Sequence, residues 1–136
     1  MLTLIYTTFA FFANIQKRII SLQYNNVVKG HQLEIYFNEK YLEQLYTEGV
    51  SDKKHRYQPQ IIRKYIRIID LMIELPNVQS LLNYNSLNYE KLKGNKVGLS
   101  SVRVNDQYRI EFEEKVKDGE ILATICNITD LSNHYQ

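Results

Sequence analysis

Residues 33–136 predict an α+β domain in which two helices pack on one face of a small antiparallel sheet, in the order β-α-α-β-β-β. Three observations carry this. Segments 39–49 and 59–75 repeat apolar side chains at helical spacing. "SSVRVNDQYRIEF" (100–112) alternates as a hairpin does. "ILATICNI" (121–128) is an apolar run of strand length.

"LEIYF" (33–37) is a short β-run, and Asn38 is a suitable N-cap for the helix that follows. That helix carries Tyr41, Leu42, Leu45 and Tyr46 on one stripe and closes at Gly49. A polar loop holds Asp52–Arg56. Pro59 suits the first turn of the second helix, whose stripe is Ile62, Ile66, Ile69 and Ile73, widened by Tyr65 and Met72. Pro76 stops it, "VQSLLNY" (78–84) adds a helical turn, and 87–100 is a polar approach with two glycines. In the hairpin, Val102, Val104, Tyr108, Ile110 and Phe112 share one face only if the loop has an odd number of residues. Asn105-Asp106-Gln107 meets this and pairs Val104 with Tyr108 and Arg103 with Arg109. "KDGE" supplies a turn before the last strand, and "TDLSNHYQ" reads as a tail.

Residues 1–32 differ from the rest. A 12-residue apolar run, Leu2–Ala13, precedes Lys17 and Arg18. A secretory signal has its charge before the run, and 12 residues is short for a spanning helix. Lys29-Gly30 would be encoded by a purine-rich run resembling a bacterial ribosome-binding site, with Leu33 at translational spacing. The expectation is that 1–32 is translated upstream sequence, disordered or a short helix, and that the domain begins at Leu33. An amphipathic extension and a short anchor stay open as alternatives.

The chain has 136 residues, 44% hydrophobic, and a formal charge of only +2, so total charge does not mark a nucleic-acid binder. Local charge is more informative, since residues 51–67 hold six Lys/Arg against one Asp. A single cysteine, Cys126, excludes an internal disulfide, fits a reducing cytosol and reads as a buried small hydrophobe. No zinc-ligand spacing or Gly-rich phosphate loop occurs, so no cofactor and no metal are expected.

Two arginines facing each other across a hairpin repel. Either carboxylates such as Glu111 or Asp106 neutralise Arg103 and Arg109, or their face holds an anion. Lys91, Lys93 and Lys96 approach that face, and Asp130, His134 and Tyr135 follow the last strand. Taken singly, the lysines suit a solvated loop and the last residues a frayed tail. Together they form a cluster of cations with a few titratable groups, which suits phosphodiester chemistry.

"LKG" (92–94), then "SSVRVNDQYRIEF" and a terminal strand, resembles the HigB-like branch of the RelE/ParE toxin superfamily. "SDKKHRYQPQ" (51–60) and "DLSNHYQ" (130–136) are similar to a subgroup of it. The resemblance covers 33–136 and none of 1–32. It implies a RelE-like fold and a type II toxin that cuts mRNA on the ribosome without a metal, using the RNA 2′-hydroxyl as nucleophile. Lys93 matches the lysine of the family's Leu-Lys-Gly, Arg109 the arginine after the hairpin aromatic Tyr108, and Asp130 the acidic residue ending the last strand. The family's better-known Asp-Tyr-His tail is here Asp130-Leu131-Ser132-Asn133-His134-Tyr135, with histidine and tyrosine displaced and reversed.

The implied catalytic set is Arg109 and Lys93, helped by Arg103, for charge stabilisation. Asp130 or His134 is the base, and His134 or Tyr135 the acid. Lys53, Lys54, Arg56, Arg63 and Lys64 would dock ribosomal RNA or an antitoxin's acidic segment, with Lys91 and Lys96 also on RNA. Implied partners are a helix-turn-helix antitoxin, the ribosome and mRNA, in the cytoplasm, without stable membrane association. One alternative is a ParE-like, non-catalytic inhibitor of DNA gyrase; another is a binding module kept only as an antitoxin partner.

N-terminal sequencing of the native protein should find its first residue at position 33. Peptides spanning residues 1–32 would contradict the upstream-sequence reading.

Overall fold

A computed structural model describes residues 32–133. The elements are β1 (Glu34–Phe37), α1 (Lys40–Glu48), α2 (Pro59–Glu74), β2 (Glu90–Lys91), β3 (Leu99–Arg103), β4 (Tyr108–Lys115) and β5 (Ile125–Asn133). Short 3-10 turns occupy Val78–Asn83, Asn85–Leu87 and Gly94–Lys96. One sheet has the order β1-β5-β4-β3-β2. The predicted α+β class holds. Neighbours pair antiparallel except β1 and β5, which run parallel, and β2 is an added edge strand. A parallel pair needs a long connection, and everything from α1 to β4 lies between these two strands.

The helices bury Leu42, Leu45 and Tyr46 from α1 and Ile61, Ile62, Tyr65, Ile68, Ile69 and Met72 from α2. These join Val102, Val104, Ile110, Phe112, Cys126, Ile128 and Leu131 in one core. Ile61 and Ile68 are buried, whereas Ile66 and Ile73 are only half-buried, so the inward stripe of α2 is rotated from the one predicted. Tyr65 ties the helices together, its hydroxyl donating to the Leu42 carbonyl at 2.9 Å. Cys126 is fully buried, and desolvation pushes its thiol up to about 12, in keeping with a small hydrophobe. Leu33 lies in the core with its N–H on the Leu75 carbonyl, a position where methionine would conserve volume.

Pro59 occupies the first turn of α2, and Gly49 closes α1 at φ 69°, where a side chain would be strained. The Asn38 expectation is corrected. Its N–H bonds the Ile128 carbonyl and extends the β1 pairing, so extended Glu39 becomes the N-cap. The last strand is also corrected. Ile121 and Leu122 sit in a loop, Ile121 93% exposed, and the strand runs from Ile125 through the supposed tail to Asn133. The reason lies in β4, which is longer than the hairpin alone suggests and pairs Lys115 with Ile125. Among the described residues no helix is long and apolar enough to cross a membrane.

Candidate functional site

The hairpin forms with the predicted register, pairing Arg103 with Arg109 and closing Val104 onto Tyr108. Asn105 Oδ1 holds the turn by accepting the N–H groups of Gln107 and Tyr108. The repulsion is relieved separately on each side. Arg103 pairs with Asp106 in the turn, and Arg109 reaches diagonally to Glu90 at 2.8 Å. Glu111, expected as their partner, is taken instead by Lys96 at 2.5 Å and by the Ser132 hydroxyl at 2.9 Å. Glu90, Ser101, Glu111 and Asp130 follow one another across four strands by register. Unpaired, such a row of carboxylates would repel, and the two cations offset it.

β5 changes phase within this row. Phe112 faces Ile128 but Glu111 faces Asp130, so Thr129 is an extra residue, a β-bulge. Cys126, Ile128 and then Leu131 point to the core, which leaves Asp130 and Ser132 on the polar side. β1 stops pairing at Ile128, so the outer edge of β5 beyond it is open. The 51–58 loop covers that edge. Tyr57 donates to the Leu131 carbonyl at 2.9 Å, its N–H bonds Ser51 Oγ, and its ring meets Tyr108 edge-on at 5.6 Å.

Between loop and strand lies a cleft of about 570 Å³, lined by residues 53–57, Lys96, Tyr108 and residues 130–133. Its charged lining is Lys53, Lys54, Arg56 and Lys96 against Asp130; Lys96 is paired with Glu111, so the excess that favours an anion comes from the three loop cations. His55 was not singled out from the sequence. Its ring stacks on Tyr41 at 3.6 Å and 6°, and Nδ1 lies 3.1 Å from both Asp52 oxygens. Asp52 also accepts the N–H groups of Lys54 and His55, and the His55 contacts hold its carboxyl below the usual range. Tyr41 donates to Asp130 at 2.9 Å, and burial together with that carboxylate pushes its phenol well up, so it stays a donor.

Of the residues named from the sequence, Lys53, Lys54, Arg56, Lys96 and Asp130 come together here. Lys93 and Lys91 are exposed on the approach to β3, and Arg63 and Lys64 on the outer face of α2. Arg103 and Arg109 hold carboxylates beside the cleft and do not line it. His134 and Tyr135 lie outside the described residues.

The HigB-like toxin family, described as "RelE-like toxin of type II toxin-antitoxin system HigB", matches residues 35–127. Toxin HigB-1 of Vibrio cholerae serotype O1 is 34% identical over 82 residues, 60% of this chain and 83% of that protein. Among solved structures, the YoeB/ParE toxin from Agrobacterium tumefaciens aligns with a TM-score of 0.45 at 14% identity, over 76% of this chain and 100% of that one. The E. coli DinJ-YafQ toxin-antitoxin complex aligns at 0.47 and 14%, over 76% and 94%.

Lys96→Ala should destabilise the fold by about 1–3 kcal/mol in chemical denaturation, because it strips a buried carboxylate of its cation. Adding Glu111→Gln should recover part of the loss. Unchanged stability in the single variant would show that the pair contributes nothing.

Proposed function

We propose that this chain, which belongs to the HigB-like family of RelE-like toxins of type II toxin–antitoxin systems, cuts mRNA on the ribosome in the cleft beside β5. The observation that carries this reading is the lining: the three loop cations Lys53, Lys54 and Arg56 against one carboxylate, Asp130, with Tyr57 and Tyr108 among them and Lys96 already paired with Glu111. Cations draw the RNA phosphates, and aromatic rings stack on bases splayed out of a single strand.

The reaction is attack by an RNA 2′-hydroxyl on its own 3′ phosphodiester. Lys53, Lys54 and Arg56 stabilise the charge that builds on the phosphate oxygens, alongside the role first given to Arg109 and Lys93. The base is Asp130 or His134, and the acid that protonates the leaving 5′-oxygen is His134 or Tyr135. The exposed Arg63, Lys64, Lys91 and Lys93 dock ribosomal RNA, and Arg109 fixes β2 through Glu90. A helix-turn-helix antitoxin is the cognate partner, and the work takes place in the cytoplasm.

Expressed without an antitoxin, the chain should arrest growth and stop translation before replication. On programmed ribosomes, in EDTA that leaves them intact, products should end in 2′,3′-cyclic phosphate or 3′-phosphate. Lys54→Ala with Arg56→Ala should slow cleavage about a hundredfold or more, the scale of losing transition-state charge stabilisation. Products ending in 3′-hydroxyl would contradict the mechanism. DNA synthesis failing first, with mRNA intact, would favour gyrase as the target.

A further inference from the structure

The solvent face of α2 carries its charges in an order that helix stability does not favour. Arg63, Lys64 and Arg67 are exposed in the N-terminal half, Asp70 and Glu74 in the C-terminal half. The first turn holds no acidic residue and the last turn no basic one. The helix dipole favours the reverse at both ends. Arg67 also stands three and four residues from two like charges, a spacing that repels. Among the described residues, Lys and Arg pair with carboxylates only on the sheet and its loops, as Lys96–Glu111, Arg103–Asp106, Arg109–Glu90 and Lys117–Glu34. Arg63, Lys64 and Arg67 have no such partner there, and Asp70 accepts from the Tyr46 hydroxyl at 2.6 Å.

We propose that Arg63, Lys64 and Arg67 form a second RNA-binding surface, separate from the cleft, that takes the phosphate backbone of double-helical RNA. The three share one helical stripe with Gln60, span about 6 Å of helix axis, and none of them lines the cleft. A row of unpaired cations suits a run of phosphates. The stripe offers nothing to an unpaired base. The one aromatic residue of α2, Tyr65, is fully buried, whereas the cleft has Tyr57 and Tyr108. Single strands are held by stacking on aromatic rings, while a duplex hides its bases and presents phosphates. Nor does the stripe offer an apolar anchor to a protein, since no large hydrophobic side chain between residues 51 and 81 is exposed. Its purpose, holding the cleft over mRNA on the ribosome, rests on the ribonuclease reading; its ligand rests on charge alone.

The test titrates the full chain into a labelled blunt-ended RNA duplex of about 16 base pairs and, separately, into oligouridine, over a range of salt. Arg63→Gln, Lys64→Gln and Arg67→Gln together should weaken duplex binding about tenfold or more. They should also lower the slope of log affinity against log salt by about two to three. Affinity for oligouridine, which the cleft takes, should stay within about twofold. The melting temperature should hold, because the three charges are exposed and repel one another. On programmed ribosomes the variant should raise KM and leave kcat near the native value. Lys40→Gln with Lys115→Gln removes exposed charge elsewhere and should leave duplex binding within about twofold. Unchanged duplex binding in the triple variant overturns the assignment. So does an equal loss in the control pair, or an equal loss for oligouridine. Polyglutamate binding tighter than the duplex, and lost in the triple variant, would give the surface to an acidic protein instead. If any of these occurs while the native chain cuts ribosome-bound mRNA, the ribonuclease reading stands. A native chain that binds duplex through the stripe and cuts no RNA loses that reading and keeps the surface.

Discussion

The extra residue in β5 is the constraint from which the site follows. A strand with unbroken alternation after Ile128 would turn Asp130 to the core and Leu131 to solvent. Thr129 shifts the phase by one residue, so Leu131 completes the apolar layer and Asp130 lines up with Glu111. β1 stops pairing where this shift occurs, which leaves the outer edge of β5 to the 51–58 loop. An open strand edge needs hydrogen-bond partners, and the Tyr57 hydroxyl supplies one at the Leu131 carbonyl. The same contact closes the loop over the strand and makes the cleft.

Charge is distributed unevenly between two neighbouring places. Along the register line, Arg109 is matched by Glu90 and Lys96 by Glu111, so that part of the face is close to neutral. In the cleft, Lys53, Lys54 and Arg56 come from one short loop and meet one carboxylate, Asp130, which is already bonded to Tyr41. Phosphate affinity belongs where cations are in excess. The hairpin arginines, conspicuous in the sequence, are each paired with a carboxylate, Arg103 with Asp106 and Arg109 with Glu90.

The fold was legible wherever local pattern and packing agree. Alternation and loop parity specified the hairpin register, and Pro59 and Gly49 marked helix ends through their own backbone limits. The two residues of β2 have no pattern of their own and become a strand only by pairing with Ser100 and Ser101. Glu90 as the partner of Arg109 was hidden for the same reason. Ile121 and Leu122 suggested a strand, but the register set by Lys115 begins the pairing four residues later. "TDLSN" looked like a tail because a bulge breaks the alternation that would mark it as a strand. The stack of His55 on Tyr41 was hidden because it joins residues fourteen positions apart. The spacing of Asp52 and His55, three residues apart in a loop, was the only local sign.

The central claim is that RNA is cut in the cleft between the 51–58 loop and β5. An electron cryo-microscopy structure of the protein on a ribosome, with mRNA methylated at the 2′-oxygen to block cleavage, tests it directly. The account predicts the scissile phosphate against Lys54 and Arg56. Density for the mRNA along Arg63 and Lys64 of α2, with the cleft empty, would contradict it.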